Sequence, residues 1–293
     1  MSLLEARSYL VGDGTEVRRM LPQRTLRTVG AWCFADHYGP DDVSHSAGMQ
    51  VGPHPHCGLQ TVSWLLEGEI VHRDSLGSLQ RVGPRELSLM TSGDGIAHSE
   101  ESPTSDRPPV LSGVQLWVAL PESARHGEAT YEHHGDLPVV EHGALRVTVV
   151  LGEHGDVRSP GTTYSPLVGL EVAVDGDGVL PLEESFEHAV FVLEGDAAVD
   201  GQQLEVGTLL ALGGGRNELD VSGRSARVMV LGGEPLGEPL LLWWNFVCRS
   251  AEEVVQARSA WEDGSERFGK VVGYPGSRLS APPLAEVRLI PRS

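Results

Sequence analysis

Cysteine is scarce in this chain, and long apolar runs are missing. The three cysteines, Cys33, Cys57 and Cys248, lie far apart in 293 residues, which excludes a disulfide framework and a cysteine-rich zinc cluster. The longest apolar run, residues 239–247, is too short to cross a bilayer. Charged residues interrupt the N-terminal segment, so it lacks the apolar core of a signal peptide. We therefore expect a soluble protein of the reducing cytoplasm.

Basic residues are also few. The chain has 22 Lys and Arg against 41 Asp and Glu, for a formal net charge of −19, and its longest basic run is Arg18-Arg19. Phosphate neutralisation requires a basic face, so direct binding to nucleic acid or to an anionic membrane is not expected. The same charge is compatible with solubility and with a protein partner. We expect a monomer.

Aromatic residues make up only 5% of the chain, whereas glycine (36) and proline (19) are plentiful. This composition is typical of many short strands joined by turns. Short apolar segments bounded by turn residues occur at 61–66, 87–90, 114–118 and 145–150. The pattern predicts an all-β protein built as a sandwich or barrel.

The chain contains a weak internal repeat. Leu66-Glu67-Gly68-Glu69 is echoed by Leu193-Glu194-Gly195-Asp196, and in each copy a Val-Gly turn (Val82-Gly83, Val206-Gly207) and an apolar strand follow. Duplication of one β-barrel explains this order, and chance similarity of two hairpins is the alternative. We predict a first barrel at 1–153, a polar linker around 153–163, and a second barrel at 164–293 that ends in a short helix.

The predicted C-terminal helix has a clear beginning and one apolar face. Ser250 and Glu253 form a capping box, in which the hydroxyl accepts from a backbone N–H and the carboxylate reaches back. Val254, Ala257 and Trp261 follow at helical spacing. We expect this helix to pack on a barrel and to have no chemistry of its own.

Four residues of the first half form the candidate metal site. His54 and His56 are two apart, as are His98 and Glu100, and side chains two apart on a strand point to the same face. If the two strands are neighbours, the four side chains converge. Three imidazoles and one carboxylate suit Fe(II), Mn, Co, Ni, Cu or Zn, and an octahedral ion would keep two positions for water, substrate or dioxygen. A lone His-x-His is common without metal, so the second pair carries the prediction.

The second half lacks this pattern. Counted back from the Leu-Glu-Gly turn, the positions equivalent to His54 and His56 are Pro181 and Glu183, and His188 is isolated. We therefore predict a degenerate second barrel with a structural role.

Several motifs resemble those of the pirin family over nearly the whole chain. They are HPHCGL (54–59), LEGE (66–69), HRDSLG (72–77), MTSGDGIAHSE (90–100), WNFV (244–247) and RFG (267–269). The resemblance implies two tandem cupin barrels, each a double-stranded β-helix or jelly roll. It also implies one metal, usually iron, held by His54, His56, His98 and Glu100. Some bacterial pirins are similar to quercetin 2,3-dioxygenases, which open a flavonol with O₂ and release carbon monoxide, whereas the animal members are redox-dependent co-regulators of transcription.

Two positions depart from the usual pattern. Gln60 stands where cupins often carry a glutamate, and Cys57 stands where pirins often carry a basic residue. Neither position is a pirin ligand, so the metal site is expected to persist. Cys57 is interpreted as a small apolar residue, with a redox role as the alternative. His72 and Asp74 follow the first Leu-Glu-Gly turn, where a turn role at Asp74 is favoured over the rim of the metal site.

Three functions remain open on the sequence. The first is a quercetin 2,3-dioxygenase-like enzyme acting with O₂ on a flavonol or similar enol, with Glu100 as both ligand and general base. The second is a non-catalytic, redox-sensitive metal-binding regulator that acts through a protein partner. The third is a different cupin reaction, because pocket residues decide the chemistry of this fold.

Overall fold

The computed structural model describes residues 1–12, 14–284 and 289–291. Within these residues the chain forms β-strands and a single α-helix, which confirms the predicted all-β class. No helix among them is both long and apolar enough to cross a membrane.

The strands are numbered in chain order. They are β1 (Ser2–Glu5), β2 (Arg7–Val11), β3 (Thr15–Leu21), β4 (Trp32–Asp42), β5 (Gln50–His56), β6 (Leu59–Glu67), β7 (Ile70–Asp74), β8 (Leu79–Val82), β9 (Leu87–Thr91), β10 (Ile96–Glu101), β11 (Val110–Ala119), β12 (Thr130–His134), β13 (Val139–His142), β14 (Leu145–His154), β15 (Val157–Arg158), β16 (Leu167–Pro181), β17 (Glu187–Glu194), β18 (Ala197–Val199), β19 (Gln202–Leu204), β20 (Thr208–Gly213), β21 (Glu218–Gly233), β22 (Leu241–Trp243) and β23 (Phe246–Cys248); the helix α1 is Ala251–Glu262.

The chain divides into two compact units. The first unit comprises Met1–Tyr9, Arg18–His37 and His134–Leu236. Its ten-stranded sheet runs in the order β1-β20-β17-β21-β16-β14-β13, with β15, β18 and β19 paired beside this path. Valine and leucine at alternate positions of β14 and β16 are buried in its core, as expected where one face of each strand packs inward.

The second unit comprises Leu10–Val17, Tyr38–His133 and Gly237–Ser293. It contains the four-stranded sheet β5-β10-β7-β8 and most of the seven-stranded sheet β12-β9-β6-β11-β4-β3-β2. β5 includes Pro53 and Pro55 and lies at the edge of its sheet, where the missing backbone N–H groups of proline cost no ladder hydrogen bond.

These units differ from the predicted boundaries of 1–153 and 164–293 at both ends of the chain. β1 pairs with β20 and so belongs to the first unit, whereas α1 belongs to the second unit. The first residues of the segment predicted as a linker, 153–163, form the β14–β15 hairpin, in which Glu153 is opposite Arg158. The division into two continuous barrels stays a prediction.

The C-terminal helix begins where the sequence predicts. The Glu253 backbone N–H donates to Ser250 Oγ at 3.2 Å, and Val254, Ala257 and Trp261 are buried. The Glu253 carboxylate accepts from the backbone N–H of Arg249, one residue earlier than a capping box predicts. The apolar face packs in a cluster with buried residues of the first barrel's β5–β6 turn and β10, which fixes this end of the chain beside the metal-site strands.

Candidate metal centre

The two histidine-bearing strands are neighbours, which meets the condition on which the predicted site depends. β10 runs antiparallel to β5, so that His98 is opposite His54 and Ile96 is opposite His56. His56 Nε2 and His98 Nε2 lie 3.1 Å apart, and the ring centroids of His54 and His98 are 4.4 Å apart. Three imidazoles separated by up to 44 residues of sequence therefore meet at one point.

A β-bulge in β5 lies next to the fourth predicted ligand. The register of β10 against β5 shifts between His98 and Glu100, while on its other side Glu100 stays opposite His72 of β7. His54, His56 and His98 consequently form one group whose potential ligand atoms lie within 4.8 Å of one another, and His72, His98 and Glu100 form a second such group. The two groups share His98.

The three histidines of the first group are buried and neutral. Their side chains belong to residues no more than 6% exposed. Burial lowers the pKa of His54 to about 4 and lowers the pKa values of His56 and His98 well below the ordinary value, with the neighbouring histidines adding to the shift of the latter two. Neutral imidazole is the form that binds a metal ion, so burial prepares these rings as ligands.

Backbone carbonyls orient two of the rings. His54 Nδ1 donates to Gly52 O at 2.9 Å, and His56 Nδ1 donates to Asn245 O at 3.0 Å. Each bond fixes the tautomer that leaves Nε2 with its lone pair directed toward the site, as is common for metal-ligating histidines.

The carboxyl group of Glu100 is held by a hydroxyl. Ser63 Oγ of β6 donates to Glu100 Oε1 at 2.7 Å. Burial raises the pKa of Glu100, and the bond from Ser63 opposes that shift. A carboxylate oxygen of Glu100 lies within 4.8 Å of potential ligand atoms of His72 and His98.

His72 is a site residue that the sequence interpretation placed at most on the rim. Its Nδ1 lies 3.5 Å from His98 Nδ1, and its ring stacks on Tyr131 with centroids 4.1 Å apart. Asp74 performs the predicted turn role, since its Oδ1 accepts from two backbone N–H groups, and its Oδ2 lies 3.2 Å from His72 Nε2. The His-x-Asp spacing on one strand is the sequence signal for this pair.

The departures from the cupin pattern lie outside the ligand groups. Gln60 is buried and donates to Thr91 Oγ1 at 2.9 Å, within the pair β6–β9. Cys57 is buried beside Cys248 in the cluster that contains α1. The interpretation of Cys57 as a small buried residue fits this placement.

The residues fit a transition-metal ion. Neutral imidazole nitrogens and one carboxylate converge in a buried site. His56 Nε2 and His98 Nε2 lie close enough together for one cation to bind both nitrogens. The cluster is able to bind a metal. Which four residues bind it stays a prediction.

Comparison with known proteins gives a consistent result over both halves of the chain. The pirin family model matches residues 14–118, and the model of the pirin C-terminal cupin domain matches residues 168–269. A Pseudomonas aeruginosa protein provisionally named quercetin 2,3-dioxygenase is 42% identical over 282 residues, which cover 95% of this chain and 89% of that protein.

Solved structures resemble the fold closely. The structure described as quercetin 2,3-dioxygenase from Acinetobacter baumannii has a TM-score of 0.94 and 41% identity, covering 98% of this chain and 96% of its own. A bacterial pirin from Escherichia coli in complex with nickel(II) has a TM-score of 0.63 and 20% identity, covering 80% and 99%, and its likeness shows the fold alone.

Proposed function

This chain belongs to the pirin family, with two cupin domains, and on that premise we propose that it is a metal-dependent dioxygenase of the quercetin 2,3-dioxygenase type. Its substrate would be a flavonol or a similar enol, and its co-substrate O₂. The observation that carries the proposal is the buried group of three neutral histidines beside a carboxylate that a single hydroxyl holds. The names of the Pseudomonas and Acinetobacter relatives support the substrate class.

We propose His54, His56, His98 and Glu100 as the ligands of one divalent metal. Fe(II) is the proposed ion, and Mn, Co, Ni, Cu and Zn are the alternatives that imidazole and carboxylate ligands also accept. The nickel complex of the Escherichia coli pirin is a reason to include nickel in any loading experiment. The free thiols Cys33, Cys57 and Cys248 support a reducing, cytoplasmic location.

A metal held by His54, His56, His98 and Glu100 would supply a Lewis acid that stabilises the negative charge of a deprotonated enol. The protein's own residues then have distinct roles. Glu100 takes the proton of the substrate hydroxyl, because its carboxylate lies in one group with His98, a proposed ligand. Ser63 positions Glu100 by donating to Oε1.

Aromatic rings contact two of the site histidines. Trp117 of β11 is 5% exposed and meets the ring of His56 edge-to-face, with centroids 5.1 Å apart. Tyr131 covers the face of His72. A flat aromatic substrate would find stacking partners in these rings, since ring pairs at these distances attract one another.

Carbon monoxide release tests the proposal. Purified protein is loaded anaerobically with Fe(II), or with Ni(II) in a parallel sample, and given quercetin and O₂. We expect metal-dependent release of carbon monoxide that is lost in His56→Ala and kept in His45→Ala, a change of an exposed histidine. Protein shown to hold one metal per chain that releases no carbon monoxide with any of the metals would rule out this activity and leave the ligand proposal standing.

The alternative is a redox-sensitive regulator that acts through a protein partner. One contact favours it: His56 donates to Asn245 O, so a change at the metal would reach the β22–β23 segment, whose Trp243 and Trp244 are partly exposed. Pull-downs with metal-loaded and metal-free protein test it. Recovery of the same partner in equal amount from both would argue against regulation by the metal.

A further inference from the structure

A cavity of about 330 Å³ lies in the first compact unit, the unit that contains the strands of the second barrel. Val168 and Leu170 of β16 form part of its apolar wall, and three histidines line it: His142 at the end of β13, His154 at the end of β14 and His188 on β17. Pro181 and Glu183, the positions equivalent to His54 and His56 in the sequence repeat, also line this cavity. The cavity therefore lies where the second barrel would hold a metal if it had kept the first barrel's ligands.

Two of these histidines face each other at a distance that suits shared coordination. His142 Nε2 and His154 Nε2 lie 3.0 Å apart, with the ring planes at 88° and the ring centroids 5.2 Å apart. Two imidazole nitrogens bound to one ion at about 2.0–2.1 Å in neighbouring positions are about 3 Å apart. The pair could accept a cation with little movement of either ring.

The third histidine is deeply buried and lacks a hydrogen-bond partner. His188 is 1% exposed, and within the described part of the chain neither of its ring nitrogens has a partner. Gly232 makes room for the ring, because a Cβ at that position would lie 2.6 Å from His188 Cδ2. A buried imidazole without a partner is unfavourable, and a ligand or ordered water in the cavity would satisfy it.

The charge around the cavity favours a cation. Its lining includes the carboxylates of Glu153, Asp156 and Glu183. Arg158 pairs with Glu153, and Arg216, which lies near enough to His188 to add to the effect of burial in lowering its pKa, pairs with Asp200. The exposed carboxylates of Asp156 and Glu183 remain to balance a positive ion. An anionic ligand would meet repulsion from the same groups.

We propose that this cavity is a second metal site for a borderline divalent cation of the Ni²⁺, Cu²⁺ or Zn²⁺ class. His142 and His154 are its protein ligands, and water completes the coordination. His188 and Glu183 hydrogen-bond to the bound waters, which gives the buried His188 ring the partner it lacks. Imidazole pairs suit these ions, and the second barrel is then a binding domain in its own right. This proposal does not depend on the dioxygenase activity.

Metal stoichiometry tests the proposal on the full chain. Metal-free protein is titrated with Ni²⁺, and bound metal is measured after equilibrium dialysis. We expect two ions per chain in the wild type and one ion in the double variant His142→Ala, His154→Ala. His56→Ala should keep the second-barrel ion, which separates this site from the first barrel. His188→Ala should weaken the binding of the second ion by about 10- to 100-fold, as expected for a residue that supports bound ligands.

A direct measurement on the unaltered protein guards against misfolded variants. Histidine modification by diethylpyrocarbonate, read by peptide mass spectrometry, should fall at His142 and His154 when Ni²⁺ or Zn²⁺ is present and stay constant at exposed His45. Equal modification with and without metal, together with one ion per chain, would overturn the proposal and leave an N–H···N hydrogen bond between two neutral rings as the whole role of the pair.

Discussion

The Nδ1–H of His56 donates to the carbonyl oxygen of Asn245 at 3.0 Å, across 189 positions of sequence. Asn245 lies in the turn between β22 and β23, and two residues later the backbone N–H of Val247 donates to Cys57 O at 3.0 Å. The C-terminal segment thus orients a proposed metal ligand of the β5 strand. Loss of that contact should affect the metal site before it affects the barrel core.

Substitution at Gly58 tests this contact. Gly58 has φ +73°, and a Cβ there would lie 2.1 Å from Val247 O, so Gly58→Ala must push β23 away from the His56 strand. Gly77→Ala is the matched control, since Gly77 has φ +94° but no heavy atom of the described residues lies within 4 Å of its Cβ position. Both variants incur backbone strain of about 1–2 kcal/mol.

The two glycine variants should therefore differ in metal affinity. We expect Gly58→Ala to bind the first-barrel metal at least about 10-fold more weakly than Gly77→Ala, as for loss of a residue that orients a ligand. Equilibrium dialysis with Fe(II) or Ni(II), with melting temperatures measured alongside, checks this. Equal affinity in the two variants would show that the Asn245 contact does not orient His56.

Variants of His54 and His72 distinguish the two residue groups that share His98. If His54 is a ligand, His54→Ala should lose the first-barrel metal. His72→Phe should keep it, because the new ring can still stack on Tyr131, which lies 4.1 Å from the His72 ring. Metal content by mass spectrometry after dialysis decides between them. The reverse result would place the metal in the group of His72, His98 and Glu100.

The two-residue strand period predicted that His54 and His56 share one face and that His98 and Glu100 share another, whereas the pairing of β5 with β10 entered only as a condition. At the bulge two residues of β5, Gly52 and Pro53, face the single residue Ser99 of β10, and glycine and proline inside a strand are the residue types that mark bulges. The unbroken antiparallel register of β10 with β7 places Glu100 opposite His72 and makes His72 part of the site.

The sequence also could not predict which compact unit contains each end of the chain. β1 pairs through Leu3 with Leu210 of β20, a contact between residues more than 200 positions apart, and its four residues have no pattern that selects a partner strand. The helix α1 was predictable as a helix because its cap and apolar face are local signals, whereas the barrel that it packs on depends on long-range burial.

Glu100→Gln separates ligation from proton transfer. The amide keeps the shape of the side chain and can still accept from Ser63 through its oxygen, but it cannot take a proton from a substrate hydroxyl. We expect turnover of quercetin by the metal-loaded enzyme to fall by about 10²-fold or more, a usual contribution of a general base. Metal content should fall much less than turnover does, and both quantities are measured on the same preparation. Unchanged turnover would remove Glu100 from the role of base.

Ser63→Ala is the companion variant. It removes the 2.7 Å hydrogen bond that holds Glu100 Oε1, and with it the interaction that lowers the pKa of Glu100 against the effect of burial. The pKa of Glu100 should therefore rise, and the acid limb of the pH–rate profile should move to higher pH. A profile that superimposes on that of the wild type would mean that Ser63 does not set the protonation of Glu100.

His37 predicts how stability depends on pH. It is fully buried, and burial together with the nearby Arg18 guanidinium lowers its pKa from 6.5 to about 3. The unfolded chain therefore binds a proton at His37 below about pH 6.5 that the folded chain does not bind. The contribution of His37 to stability is complete above that pH and is lost progressively as the pH falls toward 3.

His37→Leu removes this titration, so the wild type should lose about 3 kcal/mol more than the variant between pH 7 and pH 4.5. Urea unfolding at the two pH values, in the presence of a chelator so that metal binding does not contribute, measures the difference. Any constant effect of the substitution, including loss of the Arg18 contact at 3.5 Å, cancels in this comparison because it is present at both pH values. Equal losses of unfolding free energy in the two proteins would mean that His37 gains its proton in the folded state near the ordinary pKa. Water or a carboxylate would then have to reach the ring.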